Sequence, residues 1–380
     1  MICNGIDAIS GEHIEVEFDR FVSNVNADFS SGEASTFLAP GFIDLQVNGF
    51  AGVDFNSTTT TTADIARASQ AIFSTGVTRF FATVITNAPD KLITLLKNLA
   101  RARETLAHTT AIEGFHIEGP HISPEDGPRG AHPREWVRRP DPDEFLRWQE
   151  ASNGLVKMVT LAPEWPGACD YIEQLTGAGV VVAIGHTQAS AAQIHDAVSA
   201  GATVSTHLGN GAGSKNRRDE FISQQLQENR LSASFIVDGH HLPVEFLREA
   251  LNRKGTDRSI LVTDAVAPAL CAPGLYELGQ VAVELRPDGR VTLRGNDRLA
   301  GSILTMDRAV SLVMQHAGVS LREAIVMATS NAARAGRIAN RLRGFNPGER
   351  GDIVEFKIVG GQLEIASTFL GGEQVYARAS

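Results

Sequence analysis

Cysteine is scarce in this chain of 380 residues, with three in all, Cys3, Cys169 and Cys271. They are odd in number, far apart and outside any CxxC spacing, which excludes a disulfide framework and a cysteine-based metal site and reads as reduced thiols in a reducing compartment. Long apolar runs are absent too. Nothing approaches the roughly 20 residues of a membrane span, and the N-terminus MICNGIDAIS has no basic segment followed by an apolar one, so the cytoplasm is the expected location. An excess of positive charge is also missing. With 34 Lys and Arg against 44 Asp and Glu, the formal net charge is -10, which argues against nucleic acid or an anionic membrane surface as a partner. There is no low-complexity segment and no short-period repeat.

What the chain does contain is alternation. Strand-like runs are followed by helical ones: VTRFFATVI by KLITLLKNLARARETL, LVKMVTLAP by CDYIEQLTGAG, VVVAIGH by SAAQIHDAVSAG, and SASFIVDGHH by PVEFLREALNRKG. This rhythm predicts βα units and a parallel sheet. The two ends differ from the middle. HIEVEF near the start, and IVEFKIV, a Gly360-Gly361 turn and QLEIAST near the end, alternate as antiparallel strands do. The expected division is a small β-sandwich domain from residues 1–40 and 345–380, beside a barrel of 41–344. VAVELRPDGRVTLRG reads as a hairpin through Pro287, Asp288 and Gly289 that could belong to either part.

Polar residues stand where the apolar runs stop: Glu118 in GFHIEGPH, His186 in VVVAIGHT, His207 in TVSTHLGNG and Asp264 in ILVTDAVAP. Runs such as Val180–Ile184 are nearly all apolar, as strands buried on both faces must be, so the polar group marks the strand end. In a barrel of alternating strands and helices those ends converge on the catalytic face. One carboxylate and two imidazoles give a divalent ion three ligands and leave a position for water, the pattern of catalytic zinc. Asp264 is then free to act as a base. A single strand-end His reads as a hydrogen-bonded barrel residue and a single Asp as a helix cap; four strand ends repeating the pattern favour a site.

The motifs PGFIDLQVNGFAGVDFN, HIEGPHIS, GHTQAS, THLGNGA, DGHH, LVTDAVAP and LAGSILTM, in this order, resemble those of the N-acetylglucosamine-6-phosphate deacetylases of the amidohydrolase superfamily. PGERGDIVEF, with Pro347, Gly348 and Asp352, resembles the segment by which that superfamily re-enters its small β-domain. The resemblance implies an α/β fold, a (β/α)8 TIM-like barrel with a small β-sandwich domain, one divalent metal per subunit and hydrolysis of an acetamide on an amino-sugar phosphate. Zinc is the expected metal, and iron, cobalt or manganese suit the same donors. One departure stands out. Where many members carry a His-x-His pair for a second metal, GFIDLQVNG has Gln46 and Asn48, neutral amides that are poor ligands, so a single-metal site is expected. Asp44, on the same strand face, is expected to hydrogen-bond rather than ligate.

The resemblance also implies roles nearer the substrate. Ala131 and His132 of RGAHP, with His132 facing the carbonyl, Asn210 and Gly211 after His207, His241 of DGHH, and Leu299, Ala300 and Gly301 all fall on substrate-contacting positions. Arg218 aligns with a phosphate-binding arginine, in a loop where Lys215 and Arg217 are rival candidates. In the family this arginine and the DGHH histidine can serve the neighbouring subunit, which implies a homodimer. The altered loop keeps open a different hydrolase on the same scaffold, acting on another N-acyl amino sugar (N-acetylgalactosamine 6-phosphate or a non-phosphorylated sugar) or on a cyclic amide; a barrel that only binds is the second alternative, since fold does not dictate function, and the retention of all three ligands and Asp264 counts against it.

Overall fold

The computed structural model describes residues 1–27, 36–210 and 220–379. Eight parallel strands, each hydrogen-bonded to the next in sequence, form its centre: Phe42–Val47, Val77–Ile85, Ile112–Glu118, Val156–Leu161, Val181–Ile184, Val204–Ser205, Ser232–Phe235 and Ser259–Leu261. We number these barrel strands one to eight. The first and eighth meet through a bridge between Val47 and Ala265 and a 2.8 Å bond from Asn48 N–H to the Ala265 carbonyl. Asp44 reinforces the seam, accepting from the Thr263 hydroxyl at 2.5 Å and from the amides of Gln46 and Thr263. This is the hydrogen-bonding role expected of it. Burial pushes its carboxyl up to about 7.

Helices follow the strands and pack outside them, because each carries one apolar stripe. In Pro89–Thr105 the buried residues are Leu92, Leu95, Leu96, Leu99, Ala100 and Ala102, the spacing of a single helical face. Side-chain caps set several starts: Thr61 with Asp64, Ser190 with Gln193 and Ser320 with Glu323 form reciprocal capping boxes. The second strand is buried at all nine positions, which explains why its sequence shows no polar alternation.

The chain ends assemble into one seven-stranded sheet, in the order Glu373–Ala377, Gln362–Leu370, Ile353–Val359, Phe37–Pro40, Ile2–Asp7, His13–Phe18, Val22–Ala27. All pairs are antiparallel except Ile2–Asp7 with Phe37–Pro40. The pairing of Phe37–Pro40 with Ile353–Val359 joins the two termini across more than 300 residues of sequence. Cys3, Ile14, Val16, Phe18, Leu38, Ile353 and Phe369 form its own apolar cluster. No described cysteine forms a disulfide, and no described helix is long and apolar enough to cross a membrane.

The hairpin through residues 287–289 lies in neither sheet. Val281–Leu285 and Val291–Leu293 pair as the sequence suggests, but Gly274–Leu278 adds a third strand and the unit stands alone. Its buried residues Leu278, Val283, Leu285 and Val291 pack with Ile85, Val266 and Ala300 at the carboxyl ends of the barrel strands. Of the two parts the sequence left open, the unit packs on the barrel, over the site.

Candidate metal centre and active site

Glu118 is the last residue of the third barrel strand, and His186, His207 and Asp264 follow the fifth, sixth and eighth within three residues. The last three adopt left-handed backbone, with φ of 50°, 28° and 50°. Such φ values are uncommon for residues other than glycine and cost about 1–3 kcal/mol each, held only where the surroundings over-determine them. Three together at strand ends on one face of the barrel mark that face as the candidate site.

Glu118 Oε1 lies 2.7 Å from His207 Nε2 and 3.2 Å from His186 Nε2, and accepts a 3.0 Å bond from Gln46 Nε2. One ligand atom from each of Glu118, His186 and His207 falls within 4.8 Å of the others, and all three residues are buried. His186 Nδ1 is 2.8 Å from the Pro128 carbonyl oxygen. A carbonyl only accepts, so Nδ1 carries the proton and Nε2 keeps the lone pair a metal needs, oriented as outer partners orient ligating histidines. Gly130 allows this packing: a Cβ there would sit 3.0 Å from His186 Cε1, at a φ of +60°. The donor set and its tautomer fit a divalent ion.

Charges are sorted by environment. Burial works to raise the Glu118 carboxyl, but hydrogen bonds and charge from His186 and His207 outweigh it and hold it well below the usual range. For Asp264 the balance reverses: burial and then the Glu118 charge push it up, against hydrogen bonding from Asn48. His132 is held down at about 3 by burial and by neighbouring His186.

Gln46 and Asn48 have taken a different task from the ligands they replace. Gln46 Nε2 donates to Asp264 Oδ1 at 3.0 Å as well as to Glu118, and Asn48 Nδ2 donates to the same Asp264 oxygen at 2.7 Å. Two imidazoles here would be ligands; two amides are donors that fix a carboxylate.

The pocket above is lined by Glu118, His132, His186 and Asp264, by Ala131 and Asn210, and by Leu299, Ala300 and Gly301. Each of these is a position that the sequence motifs single out. Asn48, Ile85, Gly130 and Leu278 complete the lining. Ile85 ends the second strand as Glu118 ends the third, but as an apolar residue it does not break its run and so gives no signal of its own; Leu278 belongs to the three-stranded unit, whose docking leaves no local signal. His207 sits beside Glu118 and His186 without lining the pocket. His241 is buried off the described lining, with Nδ1 2.7 Å from Asp238 Oδ2. Gly211, Lys215, Arg217 and Arg218 lie outside the described residues. Among the described residues no lysine or arginine lines the pocket.

Comparison with known proteins agrees with this geometry. Residues 37–375 match the model of the Amidohydrolase family. The N-acetylglucosamine-6-phosphate deacetylase of Bacillus subtilis (strain 168) is 32% identical over 343 residues, covering 89% of this chain and 84% of the relative. That of Homo sapiens is 34% identical over 349 residues, covering 89% and 83%. Among solved structures, an aspartate-to-alanine variant of N-acetyl-D-glucosamine-6-phosphate deacetylase from Mycobacterium smegmatis, in complex with N-acetyl-D-glucosamine-6-phosphate, superposes with a TM-score of 0.88 at 32% identity, covering 98% and 97%. The Thermotoga maritima enzyme gives 0.87 at 26% identity over the whole of both chains. By sequence and by fold, the chain belongs to the N-acetylglucosamine-6-phosphate deacetylases of the amidohydrolase family.

Proposed function

We propose that the protein hydrolyses the acetamide of N-acetylglucosamine 6-phosphate to acetate and glucosamine 6-phosphate. The observation that carries the reading is Asp264, held by two amide donors on Oδ1 and facing a pocket that also presents Glu118 and His186. Glu118, His186 and His207 would hold one divalent ion, zinc in this reading. Bound there, such an ion supplies Lewis acidity, polarising a carbonyl and acidifying water.

The protein's own groups do the rest. No described residue hydrogen-bonds Asp264 Oδ2, and this oxygen takes the proton from the attacking water. It then returns that proton to the departing sugar nitrogen, which leaves only as a protonated amine. His132 donates to the carbonyl oxygen as negative charge builds on it. Leu299, Ala300 and Gly301 form the sugar wall. Gly301 is needed for its approach, because a Cβ there would meet Val266 Cγ1 at 2.3 Å and the Asp264 carbonyl oxygen at 3.0 Å, at a φ of +68°. Asn210, Gly211 and Ala131 complete the cradle, and Arg218 takes the phosphate, with His241 contributing in a homodimer. The same reading places the enzyme in the cytoplasm and divides the chain at 40/41 and 344/345.

Acetate release from N-acetylglucosamine, its 6-phosphate and N-acetylgalactosamine 6-phosphate tests it. A charge-assisted phosphate contact contributes about 1.5–3 kcal/mol, so kcat/KM is expected to be about 10- to 150-fold higher for the phosphorylated glucosamine derivative than for the free sugar. Equal rates on both would sink the phosphate-specific reading.

A further prediction concerns the metal count. Because Gln46 and Asn48 are committed as donors to Asp264 and Glu118, elemental analysis after removal of loosely held ions is expected to give close to one ion per chain. Gln46→His with Asn48→His is expected to raise that ratio. Two tightly held ions in the unaltered protein would contradict the single-metal assignment.

A further inference from the structure

Thr86 follows the second barrel strand, Val77–Ile85, and is 1% exposed. Its hydroxyl oxygen lies 2.9 Å from His132 Nδ1, and the Glu118 carbonyl oxygen, the rival acceptor for the hydroxyl hydrogen, is farther off at 3.5 Å, the limit of a hydrogen bond. The other nitrogen of His132, Nε2, is 3.3 Å from His186 Nε2. These contacts form a chain in which each proton can be placed. The Pro128 carbonyl takes the Nδ1 hydrogen of His186 at 2.8 Å, so His186 Nε2 is a lone pair. That lone pair belongs to the metal, so the His132 hydrogen is placed instead by the role given to the ring above: Nε2, on the side of the ring that faces the site, carries the hydrogen that meets the carbonyl. Buried at 6% exposure beside another imidazole, His132 is neutral and carries only that one N–H. Its Nδ1 must then accept, and the hydroxyl hydrogen of Thr86 is the donor within reach.

The geometry points to Thr86 as a positioning residue that fixes His132 in the Nε2–H tautomer, so that an N–H rather than a lone pair faces the reacting carbonyl. The inference rests on the role given to His132 above. Space for the hydroxyl is built into the backbone. At Gly119, the residue after Glu118, a Cβ would fall 2.1 Å from Thr86 Oγ1, at a φ of +78°. The loop bearing His132 is held separately, by Arg129 Nη1 on the His132 carbonyl at 2.8 Å and by Arg298 Nη1 on the Gly130 carbonyl at 3.0 Å. Loss of the Thr86 hydroxyl therefore removes the proton bias while these anchors remain.

The direct test is the ring of His132 in the unaltered protein, read by ¹⁵N NMR of histidine-labelled, zinc-loaded enzyme and assigned by difference from His132→Ala. The expected pattern has a protonated Nε2 coupled to both ring carbon-bound hydrogens and an unprotonated Nδ1. A protonated Nδ1 overturns the inference whatever the variants do. Thr86→Val, close in shape but without the hydroxyl, is expected to mix the tautomers and lower kcat about 10- to 100-fold, as loss of an outer partner of a site histidine does. KM and metal content should stay within about twofold, and Thr86→Ser should restore both spectrum and turnover. Loss of metal in Thr86→Val, or wild-type kcat in it while His132→Ala is inactive, would reject the positioning role. Full activity in His132→Ala would instead reject the role of His132 itself, leaving the spectrum to decide which tautomer Thr86 sets.

Discussion

Replacing Asp264 by asparagine is expected to leave the metal in place and reduce kcat by at least about a hundredfold, the lower end for a general acid-base group. The structure says why an isosteric amide cannot stand in. Gln46 Nε2 and Asn48 Nδ2 both aim hydrogens at Oδ1, so an amide here must turn its oxygen toward them. Its NH2 then faces the substrate, a group with no lone pair to take a proton. His207→Ala should behave in the opposite way, lowering metal occupancy, since His207 Nε2 is one of the three converging ligand atoms. Turnover and elemental analysis on both variants separate the two roles. Asp264→Asn retaining most of its activity would move the proton shuttle elsewhere.

Asp352→Asn is expected to destabilise the fold by about 3–5 kcal/mol, the cost of breaking a buried ion pair from one side. Asp352 is fully buried, with Oδ2 2.7 Å from Arg79 Nε and both oxygens 2.8 Å from Arg350 Nε. Arg341, itself buried, lies 3.8 Å away, and the amide of Gly371 donates to Oδ1 at 2.9 Å. Arg79 is on the second barrel strand and Gly371 follows the terminal-sheet strand Gln362–Leu370, so the carboxylate ties barrel to sheet. Neutralising it leaves buried guanidinium charge without its main partner. Arg67→Ala, which opens the exposed Arg67–Asp64 pair, equally short at 2.8 Å, and leaves the Thr61–Asp64 capping box in place, is the control; it should leave the urea midpoint close to that of the unaltered protein. Urea midpoints of the two variants compare them directly. Burial works to raise the Asp352 carboxyl, but Arg350 and Arg79 hold it below the usual range. Its contribution is thus complete above the unfolded value near about 3.9 and is lost as the pH falls through the lower folded value.

The polar residues that meet at the site were legible because parallel strands buried on both faces leave no room for a polar side chain until they end. Glu118, His186, His207 and Asp264 each break an apolar run, and Gln46 and Asn48 declared themselves by standing where imidazoles would be ligands. The antiparallel character of the two chain ends was legible for a similar reason, since alternation is a property of a few consecutive residues. By contrast, Ala131, Asn210 and the Leu299–Gly301 wall were placed only by resemblance, there being nothing in a small or apolar loop residue that announces a contact.

What the sequence determined by itself, then, was which side chains are available and at which strand ends, because burial writes a local pattern. What only the tertiary structure decided was who faces whom. The donors to Asp264 lie 218 and 216 residues away, brought alongside it by barrel closure between the first and eighth strands. The three-stranded unit around Leu278 covers the site because its apolar face matches Ile85, Val266 and Ala300, surfaces that exist only once the barrel has formed. The left-handed turns at His186, His207 and Asp264 are likewise imposed by that packing, against the preference of the residues themselves. Local patterns follow from neighbours in sequence, whereas hydrogen bonds across a barrel depend on curvature and closure, which no short stretch of chain encodes.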